Sequence, residues 1–221
     1  MGTSILSPSG VKEFYDRFGA RQDRQAFYED RALEDLLVHA DLPQARTIVE
    51  LGCGTGRLAK QILALSPHAT YQGFEVSITM LKFARQALAT FDARTSLHQL
   101  DPGTVRLPVP DRSVDRLIST YVLDLLAPGD IATFFQDALR ILTPGGRLCL
   151  VSLTRGTSLL SRFIAGVWSA IYNWRPALVG GCRPIELLEY CGPASWAIVR
   201  VHTIVSWGIP SEVLVARPHA A

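Results

Sequence analysis

Residues 48–57 read Ile48-Val49-Glu50-Leu51-Gly52-Cys53-Gly54-Thr55-Gly56-Arg57, and this stretch decides the fold. It predicts the end of a buried strand, a glycine-dense turn and the start of a helix, because Leu58, Ile62 and Leu65 follow at helical spacing. The glycines permit backbone angles that a side chain would block, so the chain can turn tightly beneath a ligand. Unpaired N–H groups at the start of the helix point toward that ligand. The arrangement suits a nucleoside with a polar or charged tail.

Two familiar nucleotide motifs do not fit this turn. A phosphate-binding P-loop needs Gly-Lys-Ser/Thr after its last glycine, and the dinucleotide fingerprint needs glycine at position 57, which is arginine. What remains is E-x-G-x-G-x-G, beginning at Glu50. The next predicted strand, 69–75, ends at Glu75. An acid roughly 20 residues past a glycine turn, at the end of the second strand, can hold both hydroxyls of a ribose.

Four motifs in this order resemble those of the class I S-adenosylmethionine-dependent methyltransferases, above all the quinone-biosynthesis and small-molecule group. The matching segments, within residues 46–153, are Glu50–Gly56, Gly73–Ser77 followed by Met80-Leu81 and Ala84-Arg85, Leu107–Asp111 before Ser113-Val114-Asp115, and Leu142–Leu148. The resemblance implies S-adenosyl-L-methionine as the cofactor and S-adenosyl-L-homocysteine as the product. It also implies methyl transfer by an SN2 reaction to a small acceptor.

The alternation of strand and helix patterns predicts a parallel sheet covered on both faces. The tight connection 207–210 between the last two predicted strands indicates an antiparallel pair. We therefore expect an α/β fold: a Rossmann-like, seven-stranded, mostly parallel sheet with an antiparallel last strand. Residues 1–45 are expected to form N-terminal cap helices. Residues 46–221 are expected to form the cofactor-binding domain, with a lid insertion at about 154–195, and the whole to be one structural domain.

The resemblance assigns cofactor-binding roles to individual residues. Glu75 would bind the ribose and Asp101 the adenine amino group, while Tyr15 or Phe18 on a cap helix would shield the sulfonium. The alternatives are that Asp101 caps its own loop, next to Pro102-Gly103, and that the aromatic residues pack their helix onto the core. The full expected set is Glu50, Gly52, Cys53, Gly54, Thr55, Gly56, Glu75, Val76, Met80, Asp101, Ser119 and Tyr15.

The tip of the predicted fourth strand, 115–120, is the part that faces the methyl group in the family. Tyr121 and Asp124 are therefore the catalytic candidates. Asp124 stands where relatives often carry histidine, and it could orient or deprotonate an acceptor. It could equally cap or salt-bridge the following helix. Residues 119–122 read Ser-Thr-Tyr-Val, which is not the Asn/Asp-Pro-Pro-Tyr/Phe motif of enzymes that methylate base amines in nucleic acids.

Residues 159–172 carry large apolar side chains in adjacent pairs every four residues, which gives one broad apolar helix face. Our hypothesis is that this helix and Gly180-Gly181 cover a hydrophobic acceptor, such as a lipid, a quinone precursor or an aromatic metabolite. The alternative is a helix that packs on the core or in a dimer. A monomer and a homodimer both remain open.

Composition limits the other classes of function. The net charge of +2 does not indicate a polyanion-binding surface, so we expect no nucleic-acid partner. The four cysteines form no Cys-x-x-Cys pair, so we expect no metal and a reducing, cytoplasmic location. We expect no transmembrane segment, while peripheral membrane contact stays possible. The alternatives to a small-molecule enzyme are a non-catalytic cofactor-binding partner or regulator, and a protein or RNA methyltransferase.

Overall fold

The computed structural model describes residues 7–18, 26–157 and 159–219. Strands alternate with helices from residue 47 onward. The strands are β1 (Thr47–Leu51), β2 (Thr70–Glu75), β3 (Thr95–Gln99), β4 (Val114–Thr120), β5 (Leu142–Leu153), β6 (Trp196–Ser206) and β7 (Ile209–Pro218). The α-helices are α1 (Pro8–Phe18), α2 (Ala26–His39), α3 (Arg57–Leu65), α4 (Ile78–Ala87), α5 (Pro128–Ile141) and α6 (Leu159–Trp174).

All seven strands form one sheet in the order β3-β2-β1-β4-β5-β7-β6. The first five strands pair in parallel, and β7 runs antiparallel to both β5 and β6. This confirms the predicted fold class, including the antiparallel last strand. The strand order reverses between β1 and β4, where Leu51 pairs with Phe74 on one side and Ser119 on the other. Ligands of open α/β sheets bind in the crevice at such a reversal.

Two apolar clusters cover the two faces of the sheet. Val49 and Leu117 belong to the cluster that includes Phe134 of α5, whereas Ile48 belongs to the cluster that includes Ile62 of α3. Alternate residues of β1 thus reach opposite faces, as the pleat of a strand requires. Both faces are buried, so β1 is held rigidly at the centre and its carboxyl end has a fixed position.

The N-terminal segment forms two helices within the predicted cap of residues 1–45. Of these, α2 packs into the core, where Leu36 is fully buried and Asp35 pairs with Arg200 of β6 at 2.7 Å. The helix α1 lies over the carboxyl ends of the strands, and α2 places Glu29 and Leu33 beside the turn after β1. The side chain of Phe18 lies outside the described residues, so its predicted shielding role is untested.

The helix α6 divides its broad apolar face between the protein body and the outer surface. Ser161, Ala165 and Tyr172 are buried and Trp168 packs against a core cluster, while Leu159 and Phe163 are exposed. Part of the face therefore packs on the core, as in the alternative given above, and the rest is exposed. Within the described ranges, no helix is both long and apolar enough to cross a membrane.

Candidate functional site

The turn after β1 has a backbone shape that excludes side chains. At Gly52, with φ of 78°, an added Cβ would lie 2.2 Å from Cγ2 of Val122. At Gly56, with φ of 80°, an added Cβ would lie 3.0 Å from Cα of Ala84 in α4. The first glycine lets the turn pass beneath the loop that follows β4, and the second lets α3 start against α4. Both therefore shape the crevice.

Glu75, at the end of β2, is fixed beside the glycine turn by two backbone donors. One carboxylate oxygen accepts the N–H of Gly54 at 3.1 Å, and the other accepts the N–H of Ser77 at 2.9 Å. Burial raises the pKa of this carboxyl, while these hydrogen bonds act in the opposite direction. Each oxygen keeps acceptor capacity for a ligand, because a carboxylate oxygen accepts more than one hydrogen bond.

A large cleft opens above Glu75 between the strand ends and α1. Its empty space is about 970 Å³, including the part open to solvent. The lining is mainly apolar. It comprises Pro8, Val11, Tyr15, Leu51, Gly52, Phe74, Glu75, Val76, Leu100, Gly103, Thr104, Val105, Thr120, Tyr121, Val122, Leu125, Leu126, Ala127 and Asp130. A concave, apolar surface with a few placed polar groups is typical of small-molecule sites.

A smaller polar recess lies on the other side of the glycine turn. It shares Gly52, Thr120 and Tyr121 with the cleft, and its other lining residues are Glu29, Leu33, Glu50, Cys53, Gly54, Thr55, Arg57 and Leu58. Two buried carboxyls and a guanidinium therefore surround one small space. Such a space can hold a group that carries both charges.

The carboxyls of the recess are perturbed by their surroundings. Burial raises the pKa of Glu50 to about 7, although its carboxylate accepts a hydrogen bond of 2.5 Å from the Tyr71 hydroxyl. Burial also raises the pKa of Glu29 to about 7, against the opposing effect of Arg57 at 3.0 Å. A bound ammonium group would favour the charged form of both carboxyls.

Several predicted cofactor-binding residues are brought together here. Tyr15, Gly52, Glu75 and Val76 line the cleft, and Glu50, Cys53, Gly54 and Thr55 join Gly52 around the recess. Gly56 lines neither space and acts instead as the N-cap of α3, which begins at Arg57.

Asp101 does not line the cleft, and its contact with the adenine amino group stays a prediction. It is exposed, and its carbonyl accepts the N–H of Thr104 at 3.1 Å in a tight turn. That turn brings Gly103, Thr104 and Val105 into the lining in place of the acid.

Met80 and Ser119 are also absent from both linings. Met80 is buried, and its N–H donates to Oγ of Ser77 at the start of α4. The Ser119 hydroxyl donates to the carbonyl of Leu51 at 3.0 Å and ties β4 to β1. Because side chains alternate along a strand, the next residue, Thr120, faces the cleft instead.

The two catalytic candidates have different surroundings. Tyr121 lines both spaces, adopts a left-handed backbone conformation with φ of 55°, and lies 2.9 Å from Oγ of Ser211 through its hydroxyl. Burial raises its pKa, so it remains a phenol at neutral pH. Asp124 is fully buried, accepts the N–H of Leu153 at 3.3 Å, and lines neither space. Its predicted contact with an acceptor is therefore not supported.

Asp16 is a further residue of the site and is not among those expected from the sequence. One of its carboxylate oxygens accepts the Ser77 hydroxyl at 2.5 Å, and the other pairs with Lys12 at 2.7 Å. Ser77 is also the N-cap of α4. Asp16 thus fastens α1 to the start of α4, two residues after Glu75. The signal available in the sequence was its position next to Tyr15, which is among the expected cofactor-binding residues.

The α6 helix contributes no described side chain to the cleft. The indole N–H of Trp168, on α6, donates to the carbonyl of Cys182. In the same loop, Gly180 lies against Phe14 of α1. The predicted lid is therefore not observed in this position. The element that covers the cleft is α1, and the 180–182 loop supports α1 from behind.

Comparisons with known proteins agree with this geometry. Residues 48–146 match the family model described as a methyltransferase domain. Trans-aconitate 2-methyltransferase of Azoarcus sp. (strain BH72) is 34% identical over 63% of this chain and 53% of its own length. Malonyl-[acyl-carrier protein] O-methyltransferase of Marinomonas sp. (strain MWYL1) is 31% identical over 65% of this chain and 51% of its own. The chain thus spans about half the length of these curated relatives.

One solved structure with the same fold is the [4+2]-cyclase SpnF. It superposes with a TM-score of 0.75 at 15% sequence identity, and the match covers 100% of both chains. At this identity the likeness shows the fold alone. Because the name of that protein denotes a cyclase, the reaction must be argued from the site rather than from the fold.

Proposed function

The chain belongs to the class I S-adenosylmethionine-dependent methyltransferase superfamily, and we propose that it moves a methyl group from S-adenosylmethionine to a small hydrophobic acceptor. The observation that carries the proposal is Glu75, whose two oxygens are held by Gly54 and Ser77 at the floor of the cleft. The cofactor supplies an electrophilic methyl group on a sulfonium and leaves as S-adenosylhomocysteine.

Glu75 binds the ribose in this proposal. Its carboxylate accepts both hydroxyls while the two backbone N–H groups keep it in place, which supports charge-assisted hydrogen bonds. Val76, Leu100 and Val105 then supply an apolar surface for the base. This role needs no phosphate anchor, in agreement with a glycine turn that lacks the P-loop lysine.

The recess holds the amino-acid end of the cofactor. Glu29 and Glu50 suit an ammonium group, and Arg57 together with the start of α3 suits a carboxylate. Since Gly52 separates the recess from the cleft, the methyl group is expected beside Thr120 and Tyr121, which line both spaces.

The acceptor enters from the side of α1. Val11 and Tyr15 cover this part of the cleft, and Leu125, Leu126 and Ala127 continue its apolar wall. Alignment of the acceptor with the methyl group supplies roughly 7–11 kcal/mol of the barrier reduction available to such a reaction. The apolar wall also excludes water, and both effects favour an acceptor with a hydrophobic body.

Asp130, rather than Asp124, is the proposed general base. It would take the proton from a methyl acceptor that starts protonated. It lies in the first turn of α5 and lines the cleft, whereas Asp124 does not. Asp130→Asn is expected to lower turnover without changing cofactor affinity, with the exposed Asp92→Asn as the control. Loss of cofactor affinity in Asp130→Asn would place this residue in the cofactor site instead.

The deciding experiment has two steps. Isothermal titration of the purified protein with S-adenosylmethionine and S-adenosylhomocysteine tests the cofactor, and absence of binding overturns the proposal. Incubation of cell extract with enzyme and methyl-labelled cofactor, read by mass spectrometry, then identifies the acceptor. Label in protein or RNA would favour the macromolecular alternative, and binding without turnover would favour a regulator. Turnover restricted to strongly polar acceptors would contradict the hydrophobic acceptor.

A further inference from the structure

The outward side of α6 is apolar and aromatic. Leu159, Phe163 and Trp174 are 87%, 69% and 76% exposed, and Val167 is 45% exposed. Their spacing of four, four and seven residues keeps them within one stripe of an α-helix. Ser161, on the other side of the helix, is buried. The stripe is therefore turned away from the protein body.

The turn between β6 and β7 adds to this surface. An added Cβ on Gly208 would lie 2.3 Å from Cδ1 of Ile164, so the turn rests directly on α6. The neighbouring Trp207 is 81% exposed, and Phe27 packs against its ring with centroids 6.4 Å apart. Exposed aromatic rings from three segments thus gather around the first half of α6.

The charges on α6 and at its end are both positive. Residues 159–175 contain two arginines and no aspartate or glutamate. Arg162 is exposed next to Phe163, and the Arg175 guanidinium lies over the Trp174 ring at 6.0 Å from its centroid. The surface formed by the outward side of α6 and Trp207 therefore combines aromatic side chains with cations.

We propose that this surface docks on an anionic lipid bilayer, with α6 lying parallel to the membrane plane. Helices that lie in the interface carry tryptophan, phenylalanine and leucine on one side, together with basic residues that attract anionic headgroups. A length of 16 residues, or about 24 Å, suits lying on a bilayer rather than spanning it.

A second copy of the chain fits this surface less well. A two-fold dimer through α6 would bring Arg162 and Arg175 of both copies together, and residues 159–175 of either copy contain no acid to pair with them. An anionic bilayer is complementary to the same arginines. Docking requires neither cofactor nor turnover, so its failure would be distinct from failure of the proposed methyl transfer.

The test is co-sedimentation of the full chain with vesicles of two compositions. Binding is expected with phosphatidylcholine containing about one third phosphatidylglycerol, and little with phosphatidylcholine alone. Added sodium chloride should release the protein, because screening weakens headgroup attraction. Phe163→Ser with Trp174→Ser should lower vesicle affinity about tenfold or more, and Arg162→Glu should also lower it. Val38→Ser removes an apolar side chain that is 76% exposed on α2 and serves as the matched control.

A measurement on the unmodified chain guards against variants that fail to fold. Brominated acyl chains in the anionic vesicles should quench its tryptophan fluorescence, and Trp174→Phe should remove a large part of the quenching. Failure to bind either vesicle overturns the proposal. The proposal is also overturned if light scattering without lipid shows a dimer, and if the Phe163→Ser and Trp174→Ser substitutions convert that dimer to a monomer. Vesicle binding that these substitutions leave unchanged also overturns it.

Discussion

The Glu75 carboxylate accepts the N–H of Gly54 at 3.1 Å and so joins the end of β2 to the turn after β1. The same carboxylate accepts the N–H of Ser77, the N-cap of α4. A single side chain thereby sets the relative position of the glycine turn and the next helix. A residue that binds a ligand from this place also organises the backbone around that ligand.

Glu75→Gln is expected to weaken binding of S-adenosylhomocysteine at least about tenfold. The amide has one acceptor oxygen instead of two and lacks the negative charge, and each charge-assisted hydrogen bond contributes about 1.5–3 kcal/mol. Isothermal titration measures the effect. The exposed Glu189→Gln is the control and should bind as the unmodified protein does. Equal affinity of Glu75→Gln and the control would show that this acid does not contact the ribose.

Gly52→Ala is expected to destabilise the protein by about 1–3 kcal/mol and to reduce cofactor binding. The new Cβ would lie 2.2 Å from Cγ2 of Val122, and the φ of 78° is unfavourable for alanine. Adding Val122→Ala should recover part of the loss, because it removes the clashing methyl group but not the backbone strain. Gly145→Ala, where an added Cβ meets nothing within 4 Å, is the control for urea unfolding. Equal stability of Gly52→Ala and Gly145→Ala would contradict the steric argument.

The parts of the site that the sequence predicted are those set by local spacing. The spacing of the glycines predicted the turn after β1. The predicted end of the second strand put Glu75 beside that turn, where the structure has it. The alternating pattern likewise predicted the sheet and its antiparallel last strand. Each of these features follows from residues that are close together in the sequence.

The placements that the sequence could not predict depend on contacts between distant segments. Ser119 and Thr120 alternate across β4, and the bond from Ser119 to Leu51 shows which of the two turns away from the cleft. The period of α6 predicted a broad apolar face, but it contained no signal that Trp168 and Tyr172 would pack inward while Leu159 and Phe163 stay exposed. Asp124 is buried by the 180–183 loop, whose Arg183 N–H donates to its carbonyl, and no local pattern showed this packing.

Asp16→Ala is expected to loosen α1 and raise the cofactor dissociation constant several-fold. The substitution removes the hydrogen bond from Ser77 and the ion pair with Lys12, so Tyr15 is held less firmly over the cleft. Limited proteolysis should cut the N-terminal segment faster, and titration should show weaker binding. Glu13→Ala removes an exposed partner of Arg17 on the same helix and is the matched control. Identical proteolysis of the two variants would mean that Asp16 does not anchor α1.

Asp124→Asn is expected to flatten the pH dependence of stability. Burial raises the pKa of Asp124 to about 7, above the ordinary value of 3.8, so the folded protein keeps a proton that the unfolded chain loses between about pH 4 and 7. Stability therefore falls as the pH rises through this window and levels off above it, by on the order of 4 kcal/mol for a shift of this size. Asparagine has no such proton, so the variant should gain stability over the unmodified chain as the pH rises from 5 to 8. Urea unfolding across this range measures the difference, and the exposed Asp92→Asn should keep the original slope. Parallel profiles for Asp124→Asn and the unmodified protein would show that the carboxyl is already ionised in the folded state at pH 5.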